Sequence, residues 1–189
     1  VPTDALAALR IWAIDVDLAG ETFTVPPRPA ADWFLAILDE ETALPLIPGL
    51  MGRDADERIG DMLLDGDIDV DLIVTRSREL LTAAAGRPWW EADRLIRSSG
   101  RDWHIIGGEL TRLGVDLDRV SLAAALNAIY VVCVRTMDEQ ERSKFDIDLR
   151  VPPIGVEGVT TEEMYDARAA EDAFTALMGQ ARPPVPVGS

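Results

Sequence analysis

Apolar residues recur at three- and four-residue intervals along most of this chain, and at every second position only near its amino terminus. In the short-period stretch, Trp12, Ile14 and Val16 alternate with their neighbours, the run Asp17-Leu18-Ala19-Gly20-Glu21 offers a glycine turn, and Thr22 to Val25 leads back. The pattern predicts a β-hairpin over 10–25. Two strands alone are marginal in water, so the apolar face of this hairpin has to dock on helices or on another chain. Pro26, Pro27 and Pro29 stop the second strand and set up a helix start.

From Ala30 to Glu40, Trp33, Phe34, Ile37 and Leu38 stand at helical spacing, and Pro45, Pro48 and Gly49 close that helix in an apolar loop. Leu44, Leu46, Ile47, Leu50 and Met51 make this loop greasy, and it reads as folded back onto the core in preference to an exposed docking lip. A second helix runs from Arg53 to Leu64 through Ile59, Met62 and Leu63, closed by Asp65-Gly66-Asp67. In a third, capped by Asp69 and ended by Gly86, Val70, Ile73, Val74, Ser77, Leu80, Leu81 and Ala84 share one face. Pro88 occupies the expected first position of a fourth helix, which passes Trp90 and Leu95 and ends near Ser99. After Asp102 a short helix is interrupted at Gly107-Gly108, a pair that permits another backbone to approach.

The longest unbroken recurrence spans Ser121 to Asp138, where Leu122, Ala125, Leu126, Ile129, Val132, Cys133 and Met137 define a helix expected at the centre of the core. A polar helix continues from Asp138 to Phe145, and Val151-Pro152-Pro153 starts a linker. Thr161-Glu162-Glu163-Met164 opens a last acidic helix, whose apolar positions Met164, Ala167, Phe174, Leu177 and Met178 are sparse enough for it to fray, swap or bind in trans. The fold class expected is therefore mainly α, a compact multi-helix domain with a short N-terminal β-hairpin and a C-terminal amphipathic helix. Its organisation reads as a helical domain over 1–157, an acidic helix over 158–180 and a disordered Pro-rich tail over 181–189.

Composition narrows the function. At 189 residues, with 48% hydrophobic and 28% charged side chains, the chain supports one ordered domain with a substantial core. Its 34 acidic against 18 basic residues, a formal charge of -16, argue against a nucleic-acid partner and for solubility, a basic protein partner or mimicry of DNA charge. One cysteine permits no internal disulfide, and the absence of a membrane-length apolar run or a signal-type amino terminus is expected of a soluble protein that is not secreted.

Catalytic chemistry finds little support in the sequence. Cys133 lies on an apolar helix face that disfavours a thiolate, and His104 beside Trp103 reads as a packing or hydrogen-bonding residue. Asp65, Asp67 and Asp69 have the first spacings of a calcium loop. Val70 then stands where the turn needs glycine, and Arg76 where a bidentate Glu is needed, so helix capping explains these aspartates better. No catalytic residue, metal site or cofactor is expected. A small enzyme using a buried carboxylate remains as a minor alternative.

The aromatic segment Gly86-Arg87-Pro88-Trp89-Trp90, with Trp103 close behind, suits burial or an interface. Together with Phe23-Thr24-Val25-Pro26-Pro27 ahead of the Trp33 helix, Ile47-Pro48-Gly49-Leu50 and Ile106-Gly107-Gly108, it resembles the tail assembly chaperones of long-tailed, siphovirus-type phages of actinobacteria. Ser121-Leu122, Ala128-Ile129-Tyr130, Met137-Asp138 and Arg150-Val151-Pro152-Pro153 extend the resemblance, which covers about residues 20–157 in order.

The resemblance implies a non-enzymatic protein of the host cytoplasm. It would coat and solubilise the helical tape measure protein during tail assembly and be absent from the virion. It further implies recruitment of the tail tube protein by a longer, frameshifted product; the Pro-rich ending here is expected of the short product. An apolar surface for the client is expected from Trp89, Trp90, Leu46, Ile47, Leu50 and Met51, with self-association along the client through the hairpin or the final helix. The alternatives are an acidic DNA-mimic inhibitor of a DNA-binding protein and a structural head-tail or neck protein.

Overall fold

A computed structural model describes residues 11–39 and 46–153, with the backbone path alone over 46–48. The predicted acidic helix over 158–180, the tail over 181–189, Leu44 and Arg10 lie outside the described residues. The chain is mainly α, as expected: eight helices and one antiparallel hairpin stand among the described residues.

The hairpin joins β1 (Ile14–Leu18) to β2 (Glu21–Val25), with Val16 opposite Phe23 and Leu18 opposite Glu21. It begins at Ile14 and leaves Trp12 outside the strand. Ala19 (φ 53°) and Gly20 (φ 87°) are both left-handed, the two-residue turn whose twist matches that of paired strands. Alternation then sorts the faces. Val16, Leu18, Phe23 and Val25 are buried, whereas Asp15, Asp17, Thr22 and Thr24 face outward.

Helix α1 (Ala30–Leu38) follows Pro29 and buries Trp33, Phe34 and Ile37. Its first free amides are satisfied at long range, Ala30 N donating to the Val120 carbonyl at 2.9 Å and Ala31 N to that of Leu117 at 3.1 Å. The stretch expected as an apolar loop is a short helix, α2 (Leu46–Met51). Pro48 does not break it, because a first-turn residue has no carbonyl four residues back to bond. Gly52, at φ 102°, turns the chain into α3 (Arg53–Asp65), and Gly66 ends α3 in the left-handed conformation. Asp69 caps α4 (Val70–Ala85) by accepting the Leu72 amide at 2.7 Å.

Three further expectations are corrected by packing. Pro88 caps helix α5 (Trp89–Arg101) at φ -50° and ψ 140°, outside the helical region, so Trp89 and not Pro88 is its first residue. Helix α6 (Trp103–Arg112) runs through Gly107-Gly108 without interruption, held by its buried Ile106 and Leu110. Helix α7 (Leu122–Val134), capped by the Ser121 hydroxyl, stops four residues short of Asp138. Burial explains that end. Leu122, Ala125, Leu126 and Ile129 are fully enclosed, whereas Val131 is exposed and Val132 and Cys133 are only half-covered, so packing supports the first turns alone.

As expected, α7 is central, touching α1, α4, α5 and α6; the hairpin is docked on α4 through β1 and on α2 through β2. The last described helix, α8 (Glu139–Arg150), belongs to a second compact unit that begins at Glu139. That boundary falls inside the span 1–157 read from sequence as one domain.

Candidate functional site

Sequence reading directs attention first to Trp89 and Trp90. Their rings meet edge to face, with centroids 6.0 Å apart, and the Arg78 guanidinium of α4 lies 4.5 Å from the Trp89 ring centroid. Both tryptophans are half-buried. Arg87 precedes them and donates to Asn127 Oδ1 of α7 at 2.5 Å. Burial pushes the Arg87 guanidinium below its ordinary range, while Glu91 and Tyr130 act in the opposite sense, and its Nε finds no acceptor. This corner therefore joins α4, α5 and α7 through aromatic and guanidinium contacts.

The other predicted surface residues lie on α2, which is seated on β2, α1, α3 and α4. Leu50 is buried at 2% exposure, and its carbonyl accepts Arg28 Nε at 3.0 Å. Met51 is half-buried; Leu46 and Ile47 lie on the same helix, and only their backbone is described. The predicted set thus comes from two different elements, and Leu50 is committed to the interior.

Other exposed apolar side chains stand on α1 and at the start of α6. Leu35 is 72% exposed, Leu38 is 38% exposed and Trp103 is 42% exposed. The Trp103 ring lies 6.1 Å from that of Phe34, and a Cβ placed on Gly100 would stand 2.9 Å from Leu38 Cδ2, so Leu38 rests on the end of α5. Helical spacing puts Leu38 beside both Phe34 and Leu35.

The sequence pattern groups Leu38 with Trp33, Phe34 and Ile37 at helical spacing and does not single out Leu35. The available signal was density: Trp33, Phe34, Leu35, Ile37 and Leu38 are more apolar side chains than one face of a nine-residue helix can bury.

His104 is exposed on α6. Cys133 is half-buried, and burial first, then the nearby Asp102 carboxylate, pushes its thiol up, so it stays protonated at neutral pH. Asp67 N donates to the Met62 carbonyl at 2.9 Å and the Asp69 side chain caps α4, which places these aspartates in helix-end roles. Among the described residues no group of three or more His, Cys, Asp or Glu is arranged to hold a metal, and no helix is long and apolar enough to cross a membrane. Comparison of the chain with models of protein families, with curated proteins and with solved structures finds no match.

Proposed function

We propose that this protein is a non-enzymatic phage tail assembly chaperone that binds the tape measure protein in the host cytoplasm, keeps it soluble during tail assembly and does not enter the virion. The observation that carries this reading is the exposure of three large apolar side chains, Leu35, Leu38 and Trp103, on a chain of net charge -16. A long amphipathic helix covers such side chains with its own apolar stripe, and each Leu-sized group fully buried contributes about 1.5–3 kcal/mol. The acidic surface repels other copies at a distance and draws a basic client. The motif resemblance over about residues 20–157 supports the same reading. Self-association along the client, and tail tube recruitment by a longer frameshifted product, belong to it.

Co-expression with the tape measure protein of the same genome, followed by pull-down and light scattering, tests this proposal. A soluble complex with several copies per client is expected. Leu35→Lys, at a solvent-facing position, should leave the circular dichroism spectrum unchanged and return most of the client to the pellet. The double variant Trp89→Ala, Trp90→Ala separates the two sets of apolar side chains: if it alone abolishes solubilisation, the client lies on the tryptophan corner and Leu35, Leu38 and Trp103 are not its seat. A client that remains insoluble with wild-type protein, with no complex captured, rejects the chaperone reading.

A further inference from the structure

The outer edge of the hairpin carries an inference independent of the proposed function. In a hairpin closed by a two-residue turn, the pair flanking the turn is hydrogen-bonded, and bonded pairs then alternate. Leu18–Glu21, Val16–Phe23 and Ile14–Val25 are therefore the bonded pairs of this ladder. It follows that the N–H and C=O groups of Asp15 and Asp17 point away from β2. Among the described residues no backbone partner takes them.

Beside this edge a pocket of about 230 Å³ is lined by Ile14, Asp15, Val16 and Asp17 of the hairpin and by Arg76, Glu79, Leu80 and Ala83 of α4. One wall is thus a strand edge and another a helix. Arg76 Nη1 bonds Glu79 at 2.6 Å, while Arg76 Nε is shielded from solvent and has no acceptor.

We propose that the β1 edge binds an extended segment of a partner protein in which basic and apolar residues alternate, adding a third strand to the hairpin. Charge selects this occupant. Asp15 and Asp17 are exposed on the outer face, where their carboxylates accept Thr24 Oγ1 at 2.6 Å and Gly20 N at 3.3 Å. Those bonds hold two negative charges in line along the strand. A segment pairing with β1 sets its own side chains directly opposite, so Lys or Arg at alternate positions meets Asp15 and Asp17. The intervening apolar residues fall on the inner face, toward Val16, Leu80 and the pocket.

A second copy of β1 is a poor occupant. Antiparallel registers centred on Asp15, Val16 or Asp17 each set an aspartate against an aspartate, an arrangement that opposes edge-to-edge pairing of copies.

The test uses the full chain and a short synthetic peptide alternating Lys and Val, with a scrambled peptide of the same composition as control. Fluorescence anisotropy should report binding of the alternating peptide and little of the scrambled one, and the Asp15 and Asp17 amides should gain hydrogen-exchange protection in the complex. Asp15→Asn with Asp17→Asn keeps oxygen acceptors for Thr24 and Gly20 and removes the charges, so the fold is retained while affinity falls by about tenfold. Equal binding of both peptides, unchanged affinity in the double variant, or no protection at Asp15 and Asp17 would overturn the proposal. So would protection of those amides that rises with protein concentration in the absence of peptide, since a second copy would then occupy the edge.

Discussion

The paired glycines of α6 show how far a single side chain's effect depends on what stands beside it. A Cβ on Gly107 would come within 3.1 Å of Trp103 Cε2, part of a rigid ring that also contacts Phe34, whereas a Cβ on Gly108 would meet nothing within 4 Å. The sequence pattern suggested that another backbone approaches this pair. It is an indole one turn earlier in the same helix that closes over Gly107. Gly108→Ala should therefore stabilise the fold by about 0.5–1 kcal/mol through the lower entropy cost of alanine in a helix. Gly107→Ala should gain less than that or lose stability, because the Trp103 ring has to tilt. Urea unfolding of the two variants checks the order, and an equal gain from both would show that the ring yields freely.

Short-range signals were read well from sequence at the scale of elements, and their failures share a cause. Asp69, Gly66, Gly86, Ser121 and the Pro-rich run before Ala30 each mark a boundary through local backbone chemistry, and each is found at or within one residue of a helix end. The misread segments, α2, α6 and the end of α7, depend on contacts made elsewhere in the chain. The hairpin turn offers a test of the local part. Ala19 sits at φ 53°, a conformation costly for alanine and more readily adopted by asparagine, and Gly20 already supplies the second left-handed position. Ala19→Asn should raise stability by roughly 0.5–1 kcal/mol in urea titration. A loss would mean that the turn deviates from the geometry its two positive φ angles imply.

For the whole molecule, the net charge of -16 outweighs the local ion pairs. Arg53–Glu57 and Arg97–Asp93 join residues four apart along single, solvent-exposed helix faces, and pairs of this kind contribute about 0.2–1 kcal/mol each. Unbalanced carboxylates repel one another across the surface, and that repulsion is screened once the Debye length falls to about 10 Å near 0.1 M salt. The melting temperature should accordingly rise between about 10 mM and about 0.1 M NaCl. A fall over that range would show that the ion pairs contribute more than the self-repulsion removes.

Alternation and helical spacing in the sequence determined which segments are strand and which are helix, because secondary structure follows from whether apolar side chains line up on one face, and the caps determined where most helices begin. The mainly α class with an N-terminal hairpin was legible for that reason. The candidate surface was legible only in part. Trp89, Trp90 and the α2 residues were chosen as large apolar groups, and sequence shows how apolar a residue is but not which neighbour covers it. Tertiary packing decided that Leu50 turns inward while Leu35, Leu38 and Trp103 stay open, and that β1 and α4 together line a pocket, because each outcome depends on segments distant in the chain arriving on the same side of one element.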